Sequence, residues 1–429
     1  MMRFVYTAVL WLALPWVVLR LWWRGRREPG YRRHMAERFG RYAFKPDKPV
    51  IWLHAVSVGE ARAAEPFVRA LALRYPGHQL VVTQMTATGR ATAEQLFAGV
   101  AHCCYLPYDY PFAVARFLAH FRPRLGILME TEIWFNLIRA CREKKLPLLL
   151  ANARLSEKSA RAYTLVASLV REALQGLSAI AAQSEADADR LRALGAGELE
   201  VTGNLKFDVT VPQAMRLLGA ELRQRFGVAR PVLLAASTRE GEEALLLDAL
   251  RQHPVADLLT LIVPRHPQRF GEVSALLKAR GQSLVLRSEN RAVPPDCAFV
   301  LGDSMGEMAA YFGACDVAFV GGSLLPYGGQ NFIEACALGV PVLLGPHTYN
   351  FAKASEDAVA AGAALTVADA EALVSRVKAL LSERESRAAM AAAGRRFSAA
   401  HQGATGRLME VVARLLAQYP VDGCHILFG

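Results

Sequence analysis

From residue 49 onward, short apolar runs alternate with longer stretches in which apolar residues recur every three or four positions. The short runs, bounded by turn residues, predict buried strands, and the longer stretches predict helices. In the first half the runs fall at 50–54, 79–83, 102–106, 125–129, 147–151, 178–182 and 199–202, with helical spacing over 61–74, 111–121 and 133–144. In the second half they fall at 232–236, 259–263, 283–286, 298–301, 316–320 and 341–344. Continuous apolar runs separated by helices indicate a parallel sheet covered on both faces. The rhythm breaks near 205–212, at Asp208-Val209-Thr210-Val211-Pro212. The expectation is an α/β protein of two Rossmann-like domains facing a cleft, 49–207 and 208–429, with ligands at the carboxyl ends of the strands.

Residues 1–48 follow a different pattern. In Phe4–Trp23, FVYTAVLWLALPWVVLRLWW, sixteen uncharged residues precede Arg20. Twenty helical residues span about 30 Å, roughly one hydrocarbon core. A secretory leader would carry its basic residues before the apolar run and a small-x-small cleavage site after it. Neither is present, so a membrane anchor is expected.

Charge sharpens this picture. Of the eleven net positive charges, eight fall in residues 1–48, which hold eleven Lys/Arg against three acids. A nucleic-acid binder spreads basic residues over its folded surface, so no nucleic-acid partner is expected. A basic collar beside an apolar segment suits anionic head groups and a cytoplasmic orientation of the body. None of the seven cysteines forms a C-x-x-C pair, which argues against a disulfide framework or a structural zinc site and fits a reducing compartment.

Polar, unusual stretches sit at the expected strand ends. They are HAVSVGE (54–60), METEIW (129–134), VTGNLKFD (201–208), ASTREGE (236–242), VPRHP (263–267), GDSMGEM (302–308) and GGS (321–323), which leads to GGQNFIEA (328–335). Each has a plain structural role open to it. Glu60, Glu130 and Glu132 suit the first turn of a helix, Lys206 suits a solvated loop, and His54 suits a core position. Asp187-Ala188-Asp189 mimics a metal-binding D-x-D, but in a helix residues i and i+2 point apart, so no metal site is expected. Jointly they divide the work. Gly-rich turns, Arg265 and the acid Glu334 suit the phosphate and ribose of a nucleotide. The first half, which lacks a G-x-G-x-x-G, is left for the acceptor and the base.

Together HAVSVGE, ETEIW, GNLKFD, VPRHP, GDSMGEM and GGQNFIEA…GVPVLLGPHTYNF resemble the 3-deoxy-D-manno-octulosonic acid (Kdo) transferases of lipopolysaccharide assembly, from the N-terminal anchor to about residue 415. The resemblance implies a GT-B glycosyltransferase on the cytoplasmic face of a Gram-negative inner membrane. Such an enzyme moves Kdo from CMP-Kdo onto a lipid A precursor (lipid IVA) with inversion, and needs no metal or other cofactor. It implies Glu60 as general base and Glu130 and Lys206 as transition-state stabilisers. It implies a CMP site drawn from Arg265, His266, Gly306, Glu307, Met308, Asn331, Phe332, Ile333 and Glu334. The chain departs from the family pattern at Arg239 and Gln330, where histidine is usual, and at Phe332-Ile333, where Pro-Leu is usual. A UDP-sugar transferase on a lipid acceptor and a non-catalytic sugar-nucleotide-binding scaffold are the alternatives.

Overall fold

In β1 (Val50–His54) the side chains alternate sides. Val50 and Trp52 join one apolar cluster, Ile51 and Leu53 the other. That alternation sets the architecture of the whole first half: a sheet with a core on each face. The computed structural model describes residues 2–27, 29–208 and 211–419. It divides into unit 1, Met1–Asp208 with Gln402–Gly429, and unit 2, Val209–His401.

Unit 1 contains β1, β2 (Gln79–Gln84), β3 (His102–Tyr105), β4 (Pro123–Met129), β5 (Leu148–Ala153), β6 (Ala179–Ala182) and β7 (Leu199–Val201). All pair in parallel, in the order β3-β2-β1-β4-β5-β6-β7. Every expected strand of the first half is present, with ends moved by two residues at most. Gly126 on β4 is required by packing: a Cβ there would lie 2.9 Å from the Trp52 ring and 2.6 Å from Leu148.

Unit 2 repeats the plan with β8 (Val232–Thr238), β9 (Leu259–Pro264), β10 (Leu284–Leu286), β11 (Phe299–Leu301), β12 (Val317–Val320), β13 (Val342–Leu344) and β14 (Ala364–Thr366), ordered β10-β11-β9-β8-β12-β13-β14. The edge strand β14 was not expected from the sequence.

The last helix, Ala404–Gln418, corrects the expected second segment of 208–429. It returns to unit 1, where Ala404, Leu408, Val411, Val412 and Leu415 share a core with Ala64, Phe67, Val68 and Leu71. Asp208 fixes its start by accepting hydrogen bonds from the Gly403 and Thr405 N–H groups at 2.7 and 2.5 Å, and the Arg407 guanidinium donates to the Thr202 carbonyl at 2.7 Å. At the other end of the chain the helix Met2–Arg27 contains Pro15. By length and composition it is apolar enough to cross a membrane.

Candidate active site

Strand order in unit 1 reverses between β1 and β4, which are neighbours. In open α/β sheets the crevice beyond the strand ends at such a point is the usual ligand site. Glu60 follows β1 and Glu130 follows β4. The helix Val58–Arg74 begins with a capping arrangement: the Ser57 hydroxyl accepts the Glu60 N–H at 3.3 Å, and the Glu60 carboxylate accepts the Val56 N–H at 2.8 Å and the Ser57 hydroxyl proton at 3.0 Å. The helix-start role read from sequence is therefore real, and it also fixes the carboxylate at the strand end.

Glu130 is 7% exposed and sits in the left-handed backbone region, φ 56°. That conformation is costly for a non-glycine residue and persists where its surroundings enforce it. The Glu130 N–H donates to Ala151 at 3.0 Å, and the Glu130 carbonyl accepts from the Arg154 N–H at 3.3 Å, which locks the bend to β5. Its carboxylate lies 3.6 Å from Lys206 Nζ and 3.6 Å from an Arg154 guanidinium nitrogen. Lys206 is brought there by Asn152, fully buried on β5, whose side-chain oxygen accepts the Leu205 N–H at 3.0 Å. Sequence reasoning passed over both Asn152 and Arg154. The available signal was an asparagine interrupting the apolar run of β5.

Glu132 accepts a hydrogen bond from the Trp134 indole at 2.7 Å. Three carboxyl groups of unit 1, from Glu60, Glu130 and Glu132, thus share one electrostatic neighbourhood. Burial first, then the charge of Glu130, push the Glu60 carboxyl up to about 7, against the pull of the Val56 N–H bond; Glu132 adds a smaller push in the same direction. Burial thus outweighs the hydrogen bonds that favour the ionised form. Glu132 is raised by burial too. His54 is fully buried, and burial lowers it to about 3. It is a neutral core histidine whose Nδ1 lies 3.0 Å from the Thr83 carbonyl oxygen and 2.9 Å from the Thr83 hydroxyl. Asp187 accepts the Leu155 N–H at 2.9 Å and the Ser184 hydroxyl at 2.5 Å, so one half of the D-x-D stretch serves folding.

In unit 2 strand order reverses between β8 and β12. Here one part of the sequence reading changes. The Gly-rich turn after β12 was expected to offer free amides to a phosphate. The fully buried Glu242 takes them instead, accepting from Gly322 at 2.6 Å and Leu324 at 3.0 Å, and from Arg239 at 2.8 Å. Gly321 is needed because a Cβ would come within 2.6 Å of the Ser237 carbonyl oxygen on β8.

The remaining donor-site candidates lie at the carboxyl ends of β9, β11 and β12. Arg265 follows β9, and its Nε donates to Gln330 at 3.0 Å, which gives the departing Gln330 a positioning role. His266, half-buried, is lowered by burial and by the cationic Arg239 and Arg265. Arg239 itself stacks over Tyr327 at 4.4 Å and pairs with Glu240 at 3.1 Å. Gly306 has φ 83°, on an exposed turn. Glu307 is held by Ser304 at 2.6 Å and Arg287 at 3.2 Å, and half-buried Met308 opens the next helix. Asn331 accepts the Ile333 N–H at 3.1 Å and donates to Glu334 at 3.4 Å. The side chains of Phe332 and Ile333 are buried in the core, 0% and 1% exposed, so it is the backbone of these two residues that can face a ligand.

Comparison with known proteins adds the following. A family model described as 3-deoxy-D-manno-octulosonic-acid transferase (kdotransferase) matches residues 33–209, and one described as glycosyl transferases group 1 matches 277–397. A 3-deoxy-D-manno-octulosonic acid transferase of Bordetella pertussis is 45% identical, covering 96% of this chain and 98% of that protein. A protein of the same description from Haemophilus influenzae is 37% identical, covering 96% and 98%. The solved structure of a UDP-GlcNAc 2-epimerase from Neisseria meningitidis matches with a TM-score of 0.59 at 16% identity, over 85% of this chain and 100% of that one, a likeness of fold.

Proposed function

Because the chain belongs to the 3-deoxy-D-manno-octulosonic acid (Kdo) transferase family and is a GT-B glycosyltransferase, we propose that it moves Kdo from CMP-Kdo onto a lipid A precursor, lipid IVA, at the cytoplasmic face of a bacterial inner membrane. The observation that carries this reading is the placing of Glu60 and Glu130 beyond the two neighbouring strands where the order of the unit 1 sheet reverses, with the Glu60 carboxyl at about 7.

In this reading unit 1 serves the acceptor. An acceptor hydroxyl gives its proton to Glu60 as its oxygen attacks the anomeric carbon of Kdo. The bond from that carbon to CMP breaks on the opposite face, so configuration inverts. A base titrating near neutrality combines a usable ionised fraction with real proton affinity. The Glu130–Lys206 pair supplies a fixed charge array in a partly buried setting, where such arrays are most effective. Unit 2 serves the donor. Electrons released with CMP are met at its phosphate by Arg265, held by Gln330. His266, Gly306, Glu307, Met308 and the backbone at Asn331–Glu334 line the nucleotide. Side chains thus supply the charge a metal would otherwise supply. The apolar helix Met2–Arg27 and its arginines bring the enzyme to a phosphorylated lipid.

The test is transfer from CMP-Kdo to a tetraacylated lipid A precursor, read by mass spectrometry of the lipid for wild type and Glu60→Ala. Wild type should add Kdo, with the mass increment counting the sugars, and the variant should bind CMP yet turn over far more slowly. Near-normal turnover by the variant would move the base to Glu130 or Glu132. No product from CMP-Kdo, with product from a UDP-sugar, would sink the donor assignment.

A further inference from the structure

One stripe of the N-terminal helix is covered along its full length. Residues 3, 6, 7, 10, 13, 14, 17, 21 and 25 are buried or half-buried, at the three-to-four spacing of a single helical face. They rest on the helices Phe135–Glu143 and Ala167–Leu174 and on the turn Pro29–Tyr31, all in unit 1. The seat is specific as well as apolar. The Tyr6 hydroxyl donates to Asp109 at 3.0 Å, the Thr7 hydroxyl donates to Asn136 at 3.2 Å, and the Tyr110 hydroxyl donates to the Leu10 carbonyl at 2.8 Å. The Tyr6 ring meets Phe135 edge-on at 5.0 Å. Asp109 is itself buried and accepts the Asn136 and Leu137 N–H groups at 2.9 and 2.8 Å. The helix is therefore docked on a group that the body uses to start one of its own helices.

The opposite stripe faces outward. Val5, Val9, Leu12, Trp16, Leu19 and Trp23 recur at four- and three-residue spacing and are all exposed, Leu12 by 82%. Exposed arginines flank this stripe towards the helix end, with Arg20 over the Trp16 ring at 5.1 Å and Arg26 over Trp22 at 4.0 Å. Tryptophan with arginine beside an apolar stripe is the composition of a head-group boundary. A helix that crosses a bilayer is ringed by lipid and leaves its soluble body at one end. This one is held to the same body from Arg3 to Gly25.

Resting on the membrane reading above, we propose that the N-terminal helix does not cross the bilayer. It lies in the plane of an anionic membrane surface, its outer stripe in the acyl region of one leaflet and its arginines at the lipid phosphates. The chain then grips the membrane from one side, with unit 1 fastened to the embedded helix.

The test uses the full chain with a nitroxide at Val5→Cys, Leu12→Cys or Leu19→Cys, in vesicles of phosphatidylethanolamine and phosphatidylglycerol. The signal of the unmutated chain is subtracted, and depth is read from oxygen against nickel-chelate accessibility. Fourteen residues of helix span about 21 Å. An in-plane helix gives three depths within about 5 Å of one another, just below the phosphates. A steady gradient of about 20 Å from Val5 to Leu19 would overturn the proposal and leave membrane binding standing. Failure of the unmutated chain to float with the vesicles would overturn the membrane reading itself. Dipolar broadening between identical labels, with no oxygen exposure, would show a second copy on the stripe and would also overturn it.

Discussion

The Lys206 ammonium lies 3.6 Å from the Glu130 carboxylate, which brings the turn after β7 onto the end of β4. Arg154 approaches the other oxygen of Glu130 at the same distance. Such an array lowers a barrier only if it meets charge that develops during transfer. Lys206→Ala is expected to lower kcat by about 100-fold, in the range for loss of one preorganised electrostatic group, with the KM for CMP-Kdo changed little. Steady-state kinetics decide it. A kcat within threefold of wild type would make Lys206 a structural partner of Glu130 and no more.

The proposed mechanism needs ionised Glu60, whose carboxyl burial has pushed up to about 7, so the acid limb of the kcat/KM profile should fall near pH 7. The next largest cause of the shift is the negative charge of Glu130. Glu130→Gln removes that charge, which favours ionised Glu60. The limb should therefore move to lower pH, whatever happens to the maximum rate. A limb that stays in place would separate Glu60 from the titration.

Glu60→Gln should trade turnover for stability. Loss of a general base costs about 10²- to 10⁴-fold in rate. The sign of the stability effect follows from linkage. The folded carboxyl, at about 7, holds its proton more tightly than the unfolded one, at the ordinary value of 4.5. Its ionisation therefore erodes stability as pH rises between those values, and the loss is complete above the folded value. The variant should melt at a higher temperature than wild type at pH 8, and the difference should shrink at pH 5. Differential scanning at both pH values tests this. A variant less stable at pH 8 would mean the capping bonds outweigh the buried charge.

Glu242 stabilises unit 2 through the amides it accepts from Arg239, Gly322 and Leu324. Glu242→Ala leaves the buried Gly322 and Leu324 N–H groups unpaired at about 1–3 kcal/mol each, and the part-buried Arg239 N–H with them, so a loss of at least about 2 kcal/mol is expected. Glu242→Gln should lose less, since its remaining oxygen still accepts. Urea unfolding of the two variants gives the comparison, and equal losses would show that side-chain volume matters rather than hydrogen bonding.

Chelation offers a further check. If side chains meet the charge of the leaving phosphate, excess EDTA should leave the transfer rate unchanged in enzyme freed of divalent ions by gel filtration. A loss restored by Mg²⁺ would place a cation in the reaction.

Local pattern carried most of the fold. The runs that became β1 to β13 are mostly apolar because both faces of each sheet are covered. β14 escaped because Ala364-Leu365-Thr366 is short and ends exposed at the sheet edge. The return of Ala404–Gln418 escaped because an amphipathic helix does not say which apolar surface it will cover. In the candidate site, Glu60, Glu130 and Lys206 stood out in sequence as charged residues at expected strand ends, each with a plain structural role also open to it, and their proposed roles came from the resemblance. Asn152 was hidden because its role depends on an amide 53 residues away. Glu242 was hidden because a first-turn glutamate looks the same in sequence whether it faces water or a Gly-rich turn.

The return of the last helix also orders events during synthesis. Unit 2, Val209–His401, is one uninterrupted length of chain and can close its core as soon as it has left the ribosome. Unit 1 cannot. Its earlier part waits with Phe67, Val68 and Leu71 uncovered until Leu408, Val412 and Leu415 have been made. The usual sequence, in which the N-terminal domain finishes first, is here reversed. The growing chain carries an open apolar surface for nearly half of its translation, close behind the apolar N-terminal helix.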